Sequence, residues 1–262
     1  MMHNNHSQKI ITYKDENNLF WFKINRPDKR NAVDYDVMNE LKKAIANAKN
    51  DTSIRAFVIT GTGDHSFCSG GDLSVFHALH TKEEAFSMLS KMANILYSLM
   101  TIPMPTFALI NGTAVGGGCE IAAACDFRLA VPHAKVGFIQ GKLGITTGWG
   151  GASMLFEKAT GPNALKMLSS SAIYTAEEAK ELGFIQKIIQ KHEDEASSNS
   201  DIDQYIISSA NVLRSYKKAL IAKWDHTNLK DRMLAEVTQC SILWEQDEHH
   251  DAVADFLKRK KK

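Results

Sequence analysis

Two glycine-rich segments hold the residues best suited to chemistry. They are Phe67-Cys68-Ser69-Gly70-Gly71-Asp72-Leu73 and Asn111-Gly112-Thr113-Ala114-Val115-Gly116-Gly117-Gly118-Cys119-Glu120, and each follows a run that reads as a strand. Glycine lets backbone approach a ligand with no Cβ between, and a helix N-terminus after such a turn presents free N–H groups. Two such groups converging on one oxygen make an oxyanion hole, which stabilises charge developing on a carbonyl oxygen. Glu120 closes the second segment, with glycines before it and the apolar Ile121-Ala122-Ala123-Ala124 after it. Burial there raises the proton affinity of a carboxyl and suits it to acid and base work near neutrality. Both features also have plain structural readings. Glycines shape tight strand-to-helix turns, and a glutamate in the first helical turn complements the macrodipole.

Other chemistries are disfavoured. The first segment lacks the P-loop lysine, and Gly112 with Gly116-Gly117-Gly118 does not form the G-x-G-x-x-G dinucleotide fingerprint. Cys68-Ser69-Gly70 lacks the first glycine of a nucleophile elbow. The ten histidines include no HExxH or carboxylate–histidine spacing, and the adjacent His249-His250 point in different directions on a helix, so no metal site is expected. Cys68, Cys119, Cys125 and Cys240 show no CxxC spacing and read as reduced thiols of a cytoplasmic protein.

These segments need a scaffold. Leu19 to Asn25 reads as a strand closed by Arg26-Pro27-Asp28. Asp34 reads as the N-cap of a helix whose apolar positions are Val37, Met38, Leu41, Ala44, Ile45 and Ala48. Strands follow at 56–60, 106–110 and 127–131, with a long helix near 81–100, a helix through 121–124 and another starting near Gly150. Short helices are expected at 164–168 and 176–182, the latter closed by Gly183. This alternation argues for right-handed βαβ units and an α/β fold with a parallel sheet. The polar stretch Lys191 to Ser200 reads as a linker, so the organisation expected is an α/β core over 1–195 and a helical extension over 196–262.

Composition sets the class. The chain has 262 residues, 44% hydrophobic and 23% charged, with a formal net charge of +1. It can bury a large core, and it presents no global basic field for nucleic acid or membrane. The start, MMHNNHSQKI, has no apolar h-region, and no stretch is long enough to span a bilayer. The like-charge block Lys258-Arg259-Lys260-Lys261-Lys262 reads as a solvated helix end.

Taken together and in order, the motifs resemble the crotonase (enoyl-CoA hydratase/isomerase) superfamily over nearly the whole chain. They run from Asn25-Arg26-Pro27 and Arg30-Asn31-Ala32-Val33 through the two glycine segments to Ala124-Cys125-Asp126-Phe127-Arg128, Gly144 and Gly148-Trp149-Gly150-Gly151. The tail Asp251 to Arg259 completes the set. The resemblance implies a stacked ββα spiral core and an acyl-coenzyme A thioester substrate, with no cofactor beyond the coenzyme A that arrives with it. It also implies that the backbone N–H groups of Gly71 and Gly117 form the oxyanion hole, and that Glu120 is one of the two glutamates used by the family's hydratases.

The second glutamate is replaced by Gln140, four residues before Gly144. An amide can orient a water or a carboxylate but cannot exchange a proton. Water addition by paired carboxylates is therefore poorly matched. The resemblance still implies first an enoyl-CoA hydratase/isomerase-type enzyme acting through an oxyanion-stabilised enolate, with decarboxylation of a malonyl-type thioester as its rival. That reaction asks for oxyanion stabilisation and a single proton donor, and the Ala123–Leu129, Gly144–Ile145 and Gly148–Gly151 blocks look particularly like the ethylmalonyl-CoA decarboxylase branch. By the same resemblance Lys29, Arg30, Asn31 and Ala32 would lie along coenzyme A, with Ser69, Gly70, Asp72, Leu73 and Gly116 around the acyl thioester. Phe256 and Lys258 would close the adenine site, and 72–100 would form a lid whose Phe76, Leu79 and Phe86 face either the acyl chain or the core. A homotrimer or dimer of trimers is implied. A non-catalytic relative that binds RNA through its basic tail is the alternative from another class, and salt-dependent RNA retention would mark it.

Overall fold

The computed structural model describes residues 8–190 and 195–259. In chain order its strands are β1 (Ile10–Lys14), β2 (Leu19–Ile24), β3 (Ala56–Gly61), β4 (Ser66–Cys68) and β5 (Thr106–Ile110). They continue as β6 (Thr113–Val115), β7 (Phe127–Ala130), β8 (Lys135–Gly137), β9 (Tyr174–Thr175) and β10 (Lys187–Ile188). One sheet has the order β1-β2-β3-β5-β7-β10, parallel throughout except for the β1–β2 pair, and the other has the order β4-β6-β8-β9. All six residues of β3 are buried, as expected of a parallel strand covered on both faces. Alternate residues serve the two faces: Phe57 and Ile59 join the larger core, while Ala56 and Val58 join a second cluster with Leu19, Trp21 and Phe107.

The helices are α1 (Tyr35–Asn50), α2 (Leu73–Phe76), α3 (Lys82–Met100), α4 (Gly117–Ala124), α5 (Gly151–Phe156) and α6 (Gly161–Ser169). After them come α7 (Ala176–Glu181), α8 (Glu195–Asp203), α9 (Ala210–His226), α10 (Leu229–Trp244) and α11 (Asp247–Arg259). Asp34 caps α1 by accepting from the Val37 N–H at 3.0 Å, and the six predicted apolar positions of α1 are its buried face. Thr81 and Glu84 form a reciprocal capping box on α3.

The chain passes repeatedly through a strand of the first sheet, a short strand of the second, and then a helix: β3-β4-α2, β5-β6-α4, β7-β8-α5. This is the stacked ββα core. Its consequence is local: β4 and β6 pair in parallel, Ser66 opposite Thr113 and Cys68 opposite Ala114, so the glycine turns that follow them emerge side by side.

Two expectations need correction. The stretch 191–200 is helical from Glu195 in its described part, whereas 191–194 lie outside the described residues. The low-hydrophobicity sequence folds there because Ile202 and Ile206, just beyond it, are fully buried against the second cluster. The 72–100 segment is largely a packed wall, since α3 buries Met88, Leu89, Met92, Leu96 and Leu99 in the main core. All four cysteines are buried and free. Of the basic block, 260–262 lie outside the described residues, and Lys258 is exposed with Asp255 3.2 Å away.

Candidate active site

The first glycine turn is held by Val33. Its N–H donates to Gly70 O at 2.9 Å and its carbonyl accepts from the Asp72 N–H at 2.8 Å. This parallel bridge leaves the Gly71 N–H pointing away from Val33, and that N–H has no acceptor among the described residues. Gly117 is the first residue of α4, so its N–H is one of the helix's orphan donors. The two turns touch, because a Cβ on Gly70 would sit 2.9 Å from Gly117 N. Gly70 and Gly116 adopt positive φ, +91° and +57°, which side chains rarely tolerate. The indole of Trp149 packs across both turns: Cβ atoms added at Gly117 and Gly71 would lie 2.2 Å and 3.6 Å from its ring.

Glu120 lies three residues after Gly117, in the first turn of α4, and is 2% exposed. Its Oε1 accepts from the N–H groups of Trp149 at 2.8 Å and Gly151 at 2.9 Å, and Oε2 accepts from Gln140 Nε2 at 3.0 Å. Burial first, and then the charge of nearby Glu236, push its carboxyl up to about 8, against the pull of those three donors. The remaining Gln140 atom, Oε1, is buried without a hydrogen-bond partner.

Glu236 reaches the same turn from α10. It accepts from the Ala152 N–H at 3.0 Å, the Ser153 N–H and Ser153 Oγ at 2.8 Å each, and Thr147 Oγ1. Its carboxyl is also raised by burial, with these donors opposing. Sequence reasoning missed it, because a glutamate in a helix 116 positions beyond Glu120 carries no local signal.

A cavity of about 480 Å³ opens from the glycine turns. Ser69, Gly70, Gly71, Leu73, Gly116, Gly117, Glu120 and Gln140, all expected at the site, line it. Phe76 joins them, whereas Phe86 is exposed on the outer face of α3 and Leu79 instead gives its carbonyl to Trp244 Nε1 at 2.9 Å. Trp244, Cys240 and His249 come from the tail, and Phe256 lines the mouth. The tail therefore closes over the site of its own chain. His249 anchors α11 through Nδ1, 2.7 Å from Leu143 O, and burial holds its imidazole below the usual range.

Other expected residues sit beside the cavity. Asp72 caps α2 through the Ser74 N–H and pairs with Arg26 at 2.8 Å. Burial alone would raise its carboxyl, but bonds from Ser74 and Arg26 hold it below the ordinary range. Asn31 is fully buried and braces the loop by donating to Thr62 O and Ser66 O and accepting from the Arg26 N–H. Lys29 and Arg30 are exposed and Ala32 is buried, and the Ser69 N–H donates to Arg30 O at 3.1 Å, so this loop abuts the first glycine turn. Lys258 is exposed and does not line the cavity. Among the described residues no cluster of three or more His, Cys, Asp or Glu is arranged to hold a metal ion, and no helix is long and apolar enough to cross a membrane.

A stacked ββα core with paired glycine turns over a buried glutamate defines a crotonase-superfamily protein. The family description "Enoyl-CoA hydratase/isomerase" matches residues 14–262. An ethylmalonyl-CoA decarboxylase from Xenopus tropicalis is 32% identical over 249 residues, covering 94% of this chain and 83% of the relative. A crotonyl-CoA hydratase from Syntrophomonas wolfei is 32% identical over 256 residues, covering 97% and 96%. The crystal structure of an enoyl-CoA hydratase from Bacillus halodurans superposes with a TM-score of 0.84 at 24% identity, over 95% of this chain and 100% of that one, and shares the fold. The chain belongs to the enoyl-CoA hydratase/isomerase family.

Proposed function

We propose that this protein decarboxylates a malonyl-type acyl-coenzyme A thioester, such as ethylmalonyl- or methylmalonyl-CoA. The observation that carries the reading is the Gln140–Glu120 hydrogen bond, which puts an amide and a single carboxyl, rather than two carboxylates, beside the glycine turns. Asp255 is the cavity's other carboxylate, and it is exposed beside Lys258 at the end of α11.

In this mechanism the thioester oxygen sits between the N–H groups of Gly71 and Gly117. The bond between the α-carbon and the carboxylate breaks, carbon dioxide leaves, and the electron pair passes into an enolate whose charge falls on that oxygen. Fixed backbone donors stabilise such charge at little reorganisation cost, each worth roughly a hundredfold or more in rate. Glu120 then gives its proton to the α-carbon and is reprotonated from solvent. A carboxyl with its midpoint raised to about 8 is mostly neutral at pH 7, so it holds a proton to give and does not repel the substrate carboxylate. Coenzyme A would run along Lys29, Arg30, Asn31 and Ala32 beside Ser69, with Phe256 and Lys258 of α11 toward its adenine end.

Hydration is the second reading, supported by the S. wolfei crotonyl-CoA hydratase that matches almost end to end. A turnover panel of crotonyl-CoA, a 3-enoyl-CoA, methylmalonyl-CoA and ethylmalonyl-CoA tests both. Carbon dioxide release from a malonyl thioester as the fastest reaction is expected, and crotonyl-CoA hydration as the fastest would overturn the assignment.

A further inference from the structure

Two buried carboxyl groups bind one short stretch of backbone. Glu120 takes the N–H groups of Trp149 and Gly151, and Glu236 takes those of Ala152 and Ser153. Like charges this close do not ionise independently, and such a pair loses its protons in two steps that belong to the pair. The first charge settles on the carboxyl with the better donors. Glu236 has two backbone N–H groups and two hydroxyls, from Thr147 and Ser153, whereas Glu120 has two backbone N–H groups and one amide.

We propose that Glu236 is a positioning residue for the proton: it carries the negative charge of the pair and so keeps Glu120 protonated and ready to donate. The inference rests on the proton-donor role proposed for Glu120. Its geometry is independent of the substrate, because Glu236 does not line the cavity and acts through the turn 147–153. Other ionisable groups around Glu120 do not substitute for it. Cys119 on α4 and Cys240 on α10 are buried thiols held neutral, with burial pushing each well above the ordinary thiol range. Lys142 and Asp255 on the cavity wall are exposed, and His249 is held toward its neutral form by burial. The charge that acts on Glu120 is therefore that of Glu236, on α10.

The test needs no substrate, so it stays separate from whether the enzyme decarboxylates or hydrates. The protonated carboxyl band of Glu120 is followed against pH by difference infrared spectroscopy and assigned by its loss in Glu120→Gln. In Glu236→Gln the midpoint of that band is expected to fall by about one pH unit or more. Thr147→Val keeps the Glu236 carboxyl but removes one of its donors, and it is expected to move the midpoint the same way by less. This second variant covers the case in which Glu236→Gln does not fold. An unchanged or raised midpoint in either folded variant would overturn the inference.

Discussion

Gln140 donates its side-chain amide to Glu120 Oε2 at 3.0 Å while its own Oε1 has no partner. The position four residues before Gly144 thus supplies a hydrogen bond to the one buried carboxyl of the cavity instead of a second acid. An amide in that place orients Glu120 without competing for its proton.

Gln140→Glu is expected to put two carboxyl groups within hydrogen-bond reach, so that one must hold a proton for the other to ionise. Decarboxylation should fall by about tenfold or more, and crotonyl-CoA hydration should appear or rise, because one group can then act as base while the other acts as acid. Paired rates on ethylmalonyl-CoA and crotonyl-CoA read this directly. Loss of both activities in a folded variant would count against the role given to Gln140.

Glu120 also gives the fold a pH signature. Its carboxyl ionises at about 8 in the folded chain but near the ordinary glutamate value of 4.5 when unfolded. Between those values the folded state holds a proton that the unfolded state has lost, so this group's contribution is complete below pH 4.5 and drains away as pH rises toward 8. Glu120→Gln removes that slope. Its stability relative to wild type should improve by on the order of a few kcal/mol from pH 4.5 to pH 8, measured by urea unfolding at both. Subtracting the two proteins cancels carboxyls such as Asp34 and Asp126, which are held below their ordinary values and run the other way.

Gly117→Ala would drive a methyl group to within 2.2 Å of the Trp149 ring. The buried ring, which packs across both glycine turns, would have to move out of that place to admit it. Activity should fall by a hundredfold or more, and stability by about 1–3 kcal/mol. Gly161→Ala, where an added Cβ meets nothing within 4 Å, serves as control and should stay within about 0.5 kcal/mol.

The helical tail is also tied to the core by residues that do not line the cavity. Lys217 of α9 lies 2.5 Å from Asp126, and both are buried, with Lys158 3.6 Å from the same carboxylate. Burial would raise Asp126, but the two lysines hold it below the ordinary range. Lys217→Ala leaves that carboxylate short of a partner and should cost about 3–5 kcal/mol in urea unfolding. A loss under 1 kcal/mol would mean that the pair contributes little.

Much of this site was legible in the sequence. The glycine turns announced themselves because a strand that turns sharply into a helix with backbone open to a ligand needs glycine, and Glu120 sits at the helix start that such a turn dictates. The helix from Asp34 was legible because its cap and apolar spacing are local. The second sheet was not, since β4, β6 and β8 span three residues each and carry no periodicity. Glu236, Trp244 and His249 were hidden for a different reason. Their helices read correctly as helices, but which face meets the core is decided by tertiary packing of α10 and α11 on residues over 80 positions away.

The most direct measurement follows ethylmalonyl-CoA in deuterium oxide with wild type and Glu120→Gln, reading carbon dioxide and the label at the α-carbon of the product. Wild type is expected to release carbon dioxide and place one deuterium there in a single configuration, with Glu120→Gln slower by on the order of a hundredfold or more. No release above the uncatalysed rate, or an equal rate and configuration from Glu120→Gln, would contradict a decarboxylase in which Glu120 delivers the proton.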